Sequence, residues 1–116
     1  GRIEISESVV AMIAGMAATE CYGLVGMASR NVQDGIAELL GRENLERGVD
    51  VKISDGTVDV SLHVIVEYGV KISEVANNIM GQVKYAIESS CGLEVNSVNV
   101  HVEGVRVRNA GRQSRR

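Results

Sequence analysis

The stretch VDVKISDGTVDVSLHVIVE, residues 49–67, carries the clearest structural signal in this chain. Val49, Val51 and Ile53 alternate with polar residues, and the apolar residues at 58, 60, 62, 64 and 66 continue the alternation. Such alternation is typical of strands with one buried face, and the Asp55-Gly56 pair between the two runs favours a hairpin turn. The stretch therefore predicts an antiparallel hairpin with one aliphatic face and one mainly polar face.

Helices are predicted on both sides of this hairpin. After it, apolar residues from Ile72 to Ile87 keep the i, i+3, i+4 spacing of an amphipathic helix over residues 72–90, which Gly92 ends. Before it, Ser6 is a suitable N-cap for a helix over residues 7–21 that is apolar on nearly all sides. We expect this first helix to be buried on more than one side, by the rest of the domain or by another subunit.

The remaining segments complete a prediction of the fold class. Residues 1–5 alternate as a short first strand, and a last strand contains Val98, Val100, Val102 and Val105. Residues 23–27 indicate an apolar loop, and residues 31–40 a weak helix interrupted by Gly35. The class is α+β: a small two-layer α/β sandwich ordered strand, helix, weak helix, strand, strand, helix, strand, with two main helices on one face. A three-stranded sheet with the first segment peripheral fits nearly as well.

Composition and charge divide the chain into two parts. A length of 116 residues suits one domain, and the absence of Phe and Trp means an aliphatic core. Residues 1–105 carry seven basic and fifteen acidic side chains, whereas residues 106–116 carry five Arg and no acid. We predict a single domain over 1–105 and a disordered basic tail over 106–116. The acidic body argues against nucleic acid, although the tail leaves RNA, anionic lipid or an acidic protein open as partners.

Four stretches together resemble the alkaline-shock-protein family of Gram-positive bacteria, also called the envelope stress response family. They are GRIEIS at 1–6 leading into the first helix, YGLVGM at 22–27, LGREN to GVDV at 40–51, and YGVKI through GLEV to VNVHV at 68–102. Each stretch is weak alone, but the four in this order are fairly specific. The resemblance covers residues 1–107 and leaves the basic tail outside.

The resemblance implies a cytoplasmic protein linked to envelope and alkaline stress. Some members of this family self-assemble, and some gather beneath the membrane through a separate small membrane-anchored protein. The family has no established catalytic residues, so the resemblance assigns no active site and no cofactor. No apolar run approaches the ~20 residues that span a bilayer, and no signal peptide is visible. We therefore expect a cytoplasmic location, with membrane association through a partner.

The side chains that could perform chemistry are few. Cys21 and Cys91 lie in apolar helical segments without a nearby His, which argues for small buried hydrophobes and against a thiol enzyme. His63 and His101 are both predicted on the polar face of the sheet beside acidic residues, where they could bind a divalent metal. Because their spacing matches no known ligand motif, solvated side chains are the preferred interpretation. The sequence thus predicts no enzyme, no small-molecule substrate and no bound metal.

The favoured functional hypothesis is a non-enzymatic interaction or scaffold domain. It would form a homo-oligomer or bind a membrane-anchored protein through the first helix and the loop that follows. The alternatives are a nucleic-acid-binding module that uses the basic tail, and a weak metal-binding protein that uses the two histidines. The predicted interaction surface consists of Val10, Ala14, Leu24, Val25 and Met27.

Overall fold

A computed structural model of the chain describes residues 1, 3–29 and 39–107. Most of the predicted weak helix and nearly all of the basic tail lie outside these residues. In chain order the described elements are helix α1 (Glu7–Thr19), strand β1 (Leu24–Met27), a 3₁₀ segment (Arg42–Gly48), strands β2 (Val49–Ser54) and β3 (Thr57–Glu67), helix α2 (Ile72–Cys91) and strand β4 (Glu94–Arg106). The α+β class and the two-layer arrangement are confirmed.

Strand β3 is the centre of the sheet. It pairs antiparallel with β2 over its first half and antiparallel with β1 over its second half. Strand β4 pairs with β3 in parallel along nearly its whole length, so β1 and β2 must follow one another along the opposite edge. Parallel neighbours need a crossover connection, and α2 is that crossover between β3 and β4. The sheet is therefore mixed.

The predicted hairpin is confirmed, down to its turn. Asp55 and Gly56 both have positive φ, 52° and 81°, as a tight two-residue hairpin turn requires. Along β3 every second residue is buried, and these residues form the aliphatic core together with α1 and α2. Both helices thus cover the same face of the sheet, and the polar face lies on the other side.

The helix boundaries follow the expected capping chemistry. The Ser6 hydroxyl accepts a hydrogen bond from the Val9 amide at 3.3 Å, which caps α1 as predicted. At the far end of α2, Gly92 has a φ of 72°, and its amide donates to the Glu88 carbonyl at 3.1 Å. These caps fix where the chain enters and leaves the helical layer.

The predicted first strand is wrong. Residues 3–6 are not part of the sheet, because they lead directly into α1, with Ile5 half-buried against the core. The sheet position is taken by β1, which the sequence had indicated as a loop. Gly23, with a φ of 86°, turns the chain into β1, and the Glu67 amide donates to the Gly23 carbonyl at 2.8 Å.

The end of the predicted weak helix is not helical either. Residues 31–38 of that prediction lie outside the described residues. Leu39 forms an antiparallel bridge with Ala28, and the Leu40 amide donates to the Met27 carbonyl at 2.8 Å. Leu39 and Leu40 therefore extend the pairing beside β1, because backbone partners are available there that a helix would not use.

Candidate functional site

Four of the five residues predicted as an interaction surface lie inside the domain. Val10 and Ala14 are fully buried, because α2 covers one apolar side of α1 while β2 and the 3₁₀ segment cover another. Leu24 and Met27 are buried because β1 belongs to the sheet. Val25 is half-buried. The prediction that these residues form a partner-binding surface is therefore wrong for all but Val25.

Helix α1 nevertheless keeps one uncovered apolar face. Val9 and Met16 are seven residues apart and so lie on the same side of the helix, and about half of each side chain is exposed. Tyr22, just beyond the helix, is exposed over 77% of its surface. The apolar character of α1 is therefore explained mostly by burial within the domain and only in part by this outer face.

A second uncovered apolar surface runs along β4 on the helix-covered side of the sheet. Exposure rises along the strand, from 6% at Val95 to 36% at Val102 and 47% at Val105, and Val107, just after the strand, is 75% exposed. Helix α2 packs against the first part of β4, where Val95 is buried and Val98 half-buried. The aliphatic face of the sheet thus continues beyond the helical layer, and we call Val102 and Val105 the bare end of β4.

Strand β4 also has an open edge. Within the described ranges no strand pairs with the side of β4 that faces away from β3. The amide of Val95 on this strand is already satisfied by Glu88 Oε2 at 3.1 Å. At the opposite edge of the sheet, which β2 forms, the Ile53 amide donates to Glu7 Oε2 at 3.3 Å. The open edge therefore begins after Val95, and such an edge is a template for another strand.

Two bulges divide β4 into segments. The register with β3 shifts between Val95 and Ser97 and again between Val102 and Gly104. From Ser97 to Val102 the pairing is regular, with Val98, Val100 and Val102 opposite the buried residues of β3. The bulges keep Val95 and Val105 on the same side of the sheet as these three valines, and this side is the aliphatic one.

The two histidines meet on the polar face of the sheet. His63 and His101 are directly opposite one another on β3 and β4, and their rings stack with centroids 4.8 Å apart. His63 Nδ1 lies 2.6 Å from Glu103 Oε2, and His63 Nε2 lies 3.5 Å from Asp50 Oδ2. The side chain of His63 is only 15% exposed, so the predicted solvated histidine describes His101 but not His63.

This arrangement does not favour a metal site. Both ring nitrogens of His63 face carboxylate oxygens, and a metal ligand needs a nitrogen lone pair that is free of a proton. Among the described residues, no group of three or more His, Cys, Asp or Glu side chains is placed to hold a metal ion. Instead, the contacts of His63 with Asp50 and Glu103 link β3 to β2 and to β4 on the polar face of the sheet.

Asp59 makes a second polar link between β3 and β4. Its Oδ1 accepts hydrogen bonds from Ser97 Oγ at 2.7 Å and from Asn96 Nδ2 at 2.9 Å. These bonds, first that from Ser97 and then that from Asn96, favour the charged form and hold the pKa of Asp59 below its usual value. The carboxylate thus fastens the first bulge of β4 to the central strand.

Cys21 lacks the surroundings of a reactive thiol. Burial, with a smaller contribution from the charge of Glu20, raises the pKa of the Cys21 thiol. The thiol lies 3.6 Å from the Ala17 carbonyl oxygen, to which it donates. A thiol with a raised pKa is protonated at neutral pH and is therefore a poor nucleophile.

The surface on β4 was missed because alternation alone says nothing about which strand lies at an edge. One signal was present in the sequence. The valine spacing changes from even positions at Val98, Val100 and Val102 to odd positions at Val105 and Val107, which indicates a bulge. Bulges are common at sheet edges, so this change in spacing could have pointed to β4.

The fold and the uncovered surface define a class: a two-layer α+β domain with a mixed sheet, one open strand edge and exposed valines beside it. The chain matches the model of the alkaline shock protein 23 family over residues 1–107, and the description of that family is cell envelope-related function. The chain belongs to this family. The resemblance seen in the sequence is therefore confirmed.

Several relatives share most of the chain. Bacillus subtilis (strain 168) has a protein named "Uncharacterized protein YloU" that is 51% identical over 110 residues, covering 94% of this chain and 92% of the relative. A Streptococcus pyogenes serotype M6 protein, Spy1614, is 44% identical over 92% of this chain and 89% of its own length. A more distant relative in serotype M3, named "Stress response regulator gls24 homolog", is 25% identical over 93% of this chain and 60% of its own length.

Solved structures share the fold at low sequence identity. A variant of MamM-CTD superposes with a TM-score of 0.52 and 13% identity, over 85% of this chain and 98% of that domain. A second MamM-CTD variant gives a TM-score of 0.51 over 89% of this chain and all of that domain. At this identity the likeness establishes the fold alone.

Proposed function

We propose that this protein is a non-enzymatic, self-associating interaction domain that acts in the stress response of the cell envelope. The observation that carries this proposal is the bare end of β4, where Val102 and Val105 stand uncovered beside an open strand edge. Small soluble domains seldom expose contiguous apolar surface without using it for binding. An unpaired strand edge beside such a surface adds hydrogen-bonding groups for a protein partner.

The family supports the stress-response part of the proposal. Its description is cell envelope-related function, and distant relatives carry the name of a stress response regulator. The proposal that the domain is not an enzyme is supported by the surroundings of two candidate side chains: His63 is engaged by two carboxylates, and burial raises the pKa of the Cys21 thiol. The domain would thus act through the surfaces it presents to other proteins.

A second part of the proposal concerns location. We place the domain in the cytoplasm, where it would reach the envelope by binding a small membrane-anchored protein. Within the described part of the chain, no helix is both long and apolar enough to cross a membrane. The outer face of α1, with Val9 and Met16, is separate from β4 and offers a surface for that protein while β4 serves self-association.

Light scattering coupled to size exclusion tests the central part of this proposal. The full chain would be measured from about 10 μM to about 1 mM, a range that includes the weak end of specific protein association. We expect a discrete oligomer whose population rises with concentration. A monomer throughout this range would show that self-association is not a property of the domain, and the proposal would be abandoned.

A further inference from the structure

We infer that the partner of β4 is β4 of a second copy, paired antiparallel about a two-fold axis that passes beside Val100. This inference rests on the proposed self-association and adds the surface and the register to it. Most homodimers have two-fold symmetry, in which one surface binds itself. A strand edge can meet this requirement because antiparallel pairing with an identical strand is self-complementary.

Symmetry restricts the register of such a pair. A two-fold axis perpendicular to the sheet keeps the helices of both copies on the same side. Helix-side residues of one β4 must then face helix-side residues of the other, because directly paired residues point to the same face. In the regular segment from Ser97 to Val102, this condition requires the axis to pass beside a residue. An axis that passes between two residues is excluded.

An axis beside Val100 makes the two strands complementary along their whole length. Residues equidistant from Val100 face one another, so Val98 faces Val102 of the second copy and Val95 faces its Val105. On the polar face, Asn99 faces His101. At the ends, Glu94 of each copy faces Arg106 of the other, which gives the dimer two opposite-charge pairs. No like charges meet in this register.

The neighbouring registers that satisfy the symmetry are worse. With the bulge at Glu103 counted, moving the axis to His101 still places valine opposite valine, but it leaves Arg106 opposite Ser97. With both bulges counted, moving it to Asn99 also places valine opposite valine, but it leaves Glu94 opposite Gly104. Among these three registers, only the axis beside Val100 pairs Glu94 of each copy with Arg106 of the other.

The same register would cover the bare end of β4. Exposure is low at Val95, which α2 shelters, and high at Val102 and Val105. Antiparallel pairing brings the sheltered start of one strand beside the uncovered end of the other. The helix α2 of the second copy would then lie next to Val102 and Val105, and apolar area would leave water on both sides of the axis.

The length of the new backbone ladder follows from the contacts already present. Glu88 occupies the amide of Val95, so the new hydrogen bonds would lie between Ser97 and Glu103. This segment is centred on Val100. Beyond it, at the bulges, side-chain contacts would continue through Val95 with Val105 and Glu94 with Arg106.

The first test compares two valine-to-lysine variants of the full chain by light scattering. Val102→Lys would place an ammonium group against Val98 and α2 of the second copy, and we expect the dimer dissociation constant to rise at least about tenfold. Val9→Lys is the matched control, since Val9 is exposed to a similar degree on α1. We expect it to leave the dimer unchanged. Circular dichroism would verify that both variants are folded.

The second test is specific for the register and uses two exposed residues. Glu94→Arg alone places Arg opposite Arg106 of the second copy, and Arg106→Glu alone places two carboxylates together. Each single variant should weaken the dimer severalfold at low salt, because like charges that face each other directly destabilise a strand pair. The double variant Glu94→Arg with Arg106→Glu should restore it.

The possible results separate this inference from the proposed function. A dimer that Val102→Lys weakens and that the double charge reversal restores supports the inference. If the wild-type chain dimerises equally well with Val102→Lys, or if the double variant is weaker than either single one, another surface is used and only the inference falls. A wild-type chain that stays monomeric removes the proposed self-association together with it.

Discussion

At the scale of single residues, Gly23 shows how much the placement of β1 depends on one missing side chain. Its φ of 86° lies in the left-handed region, and a Cβ atom there would lie 2.6 Å from Cγ2 of Val75. Both the backbone angle and the close approach of α2 therefore exclude a larger residue. The turn from α1 into β1 can form because this position is glycine.

We predict that Gly23→Ala lowers the free energy of unfolding by about 2–4 kcal/mol. The cost of the strained φ and the cost of the steric overlap with Val75 add to each other. Gly56→Ala is the matched control. Gly56 has a similar φ of 81° but nothing within 4 Å of the added carbon. Gly56→Ala should therefore lower the free energy of unfolding only by the cost of backbone strain, about 1–2 kcal/mol. Urea unfolding measures both, and equal losses would show that Val75 moves aside without cost.

Asp59 gives a prediction about acid stability. Its pKa is lowered in the folded chain, and an unfolded Asp titrates near 3.9. Between these values the unfolded state binds more protons, so stability rises with pH. The stabilisation by Asp59 is present above about pH 4 and is lost as the pH falls through the lowered pKa.

Asp59→Asn should therefore be less stable than the wild type near pH 6, and the difference should shrink as the pH falls below about 4. Urea unfolding at several pH values measures this difference. A difference for Asp59→Asn that stays constant down to pH 2 would contradict the role of its carboxylate.

At the scale of elements, α2 contains a glycine that nothing in the structure requires. Gly81 lies in the exposed part of the helix, and an added Cβ would have nothing within 4 Å. Gly81→Ala should stabilise the domain by about 0.8 kcal/mol, because glycine is a poor residue inside a helix. Gly15→Ala in α1 should give no such gain, since its Cβ would lie 3.1 Å from Cβ of Leu45. Thermal or urea unfolding compares the two, and a gain at Gly15 equal to that at Gly81 would refute the contact with Leu45.

The elements also show what the sequence could predict and what it could not. The hairpin and α2 were predictable because their apolar residues keep one period over many residues. The first strand was not, because residues 1–5 and Leu24–Met27 both carry short apolar runs and only tertiary pairing decides which one joins β3. The parallel pairing of β4 was equally hidden, since alternation does not record strand direction.

The candidate site was harder to predict than the fold. Val10, Ala14, Leu24 and Met27 were assigned to a surface because the first helix has too many apolar sides for one contact. In the structure, α2 and the 3₁₀ segment provide the additional contacts, and these come from distant parts of the chain. The histidine pair was placed on the correct face, but its stacking depended on the register of β3 and β4.

At the scale of the whole molecule, hydrogen exchange should reveal both the centre and the open edge of the sheet. Amides of β3 have neighbours on both sides and should exchange most slowly. Amides of β4 between Ser97 and Glu103 that point away from β3 should exchange quickly in dilute solution and more slowly as the concentration rises. The exchange rate of the Ile53 amide, which is hydrogen-bonded to Glu7, should not depend on the protein concentration. Equal exchange of the β4 amides at all concentrations would mean that this edge stays open.

The sharing of one edge of β3 by two strands has a consequence for how relatives can diverge. The Ala28 amide donates to the His63 carbonyl, and Val49 begins β2 opposite Leu62, so the connection from β1 to β2 begins and ends at adjacent positions of β3. Residues inserted between these two points would not shift any strand, and doubling the length of a connection costs only about 0.6 kcal/mol of closure entropy. Evolution could therefore add or remove chain at this junction, and with it a new recognition segment, without changing the sheet.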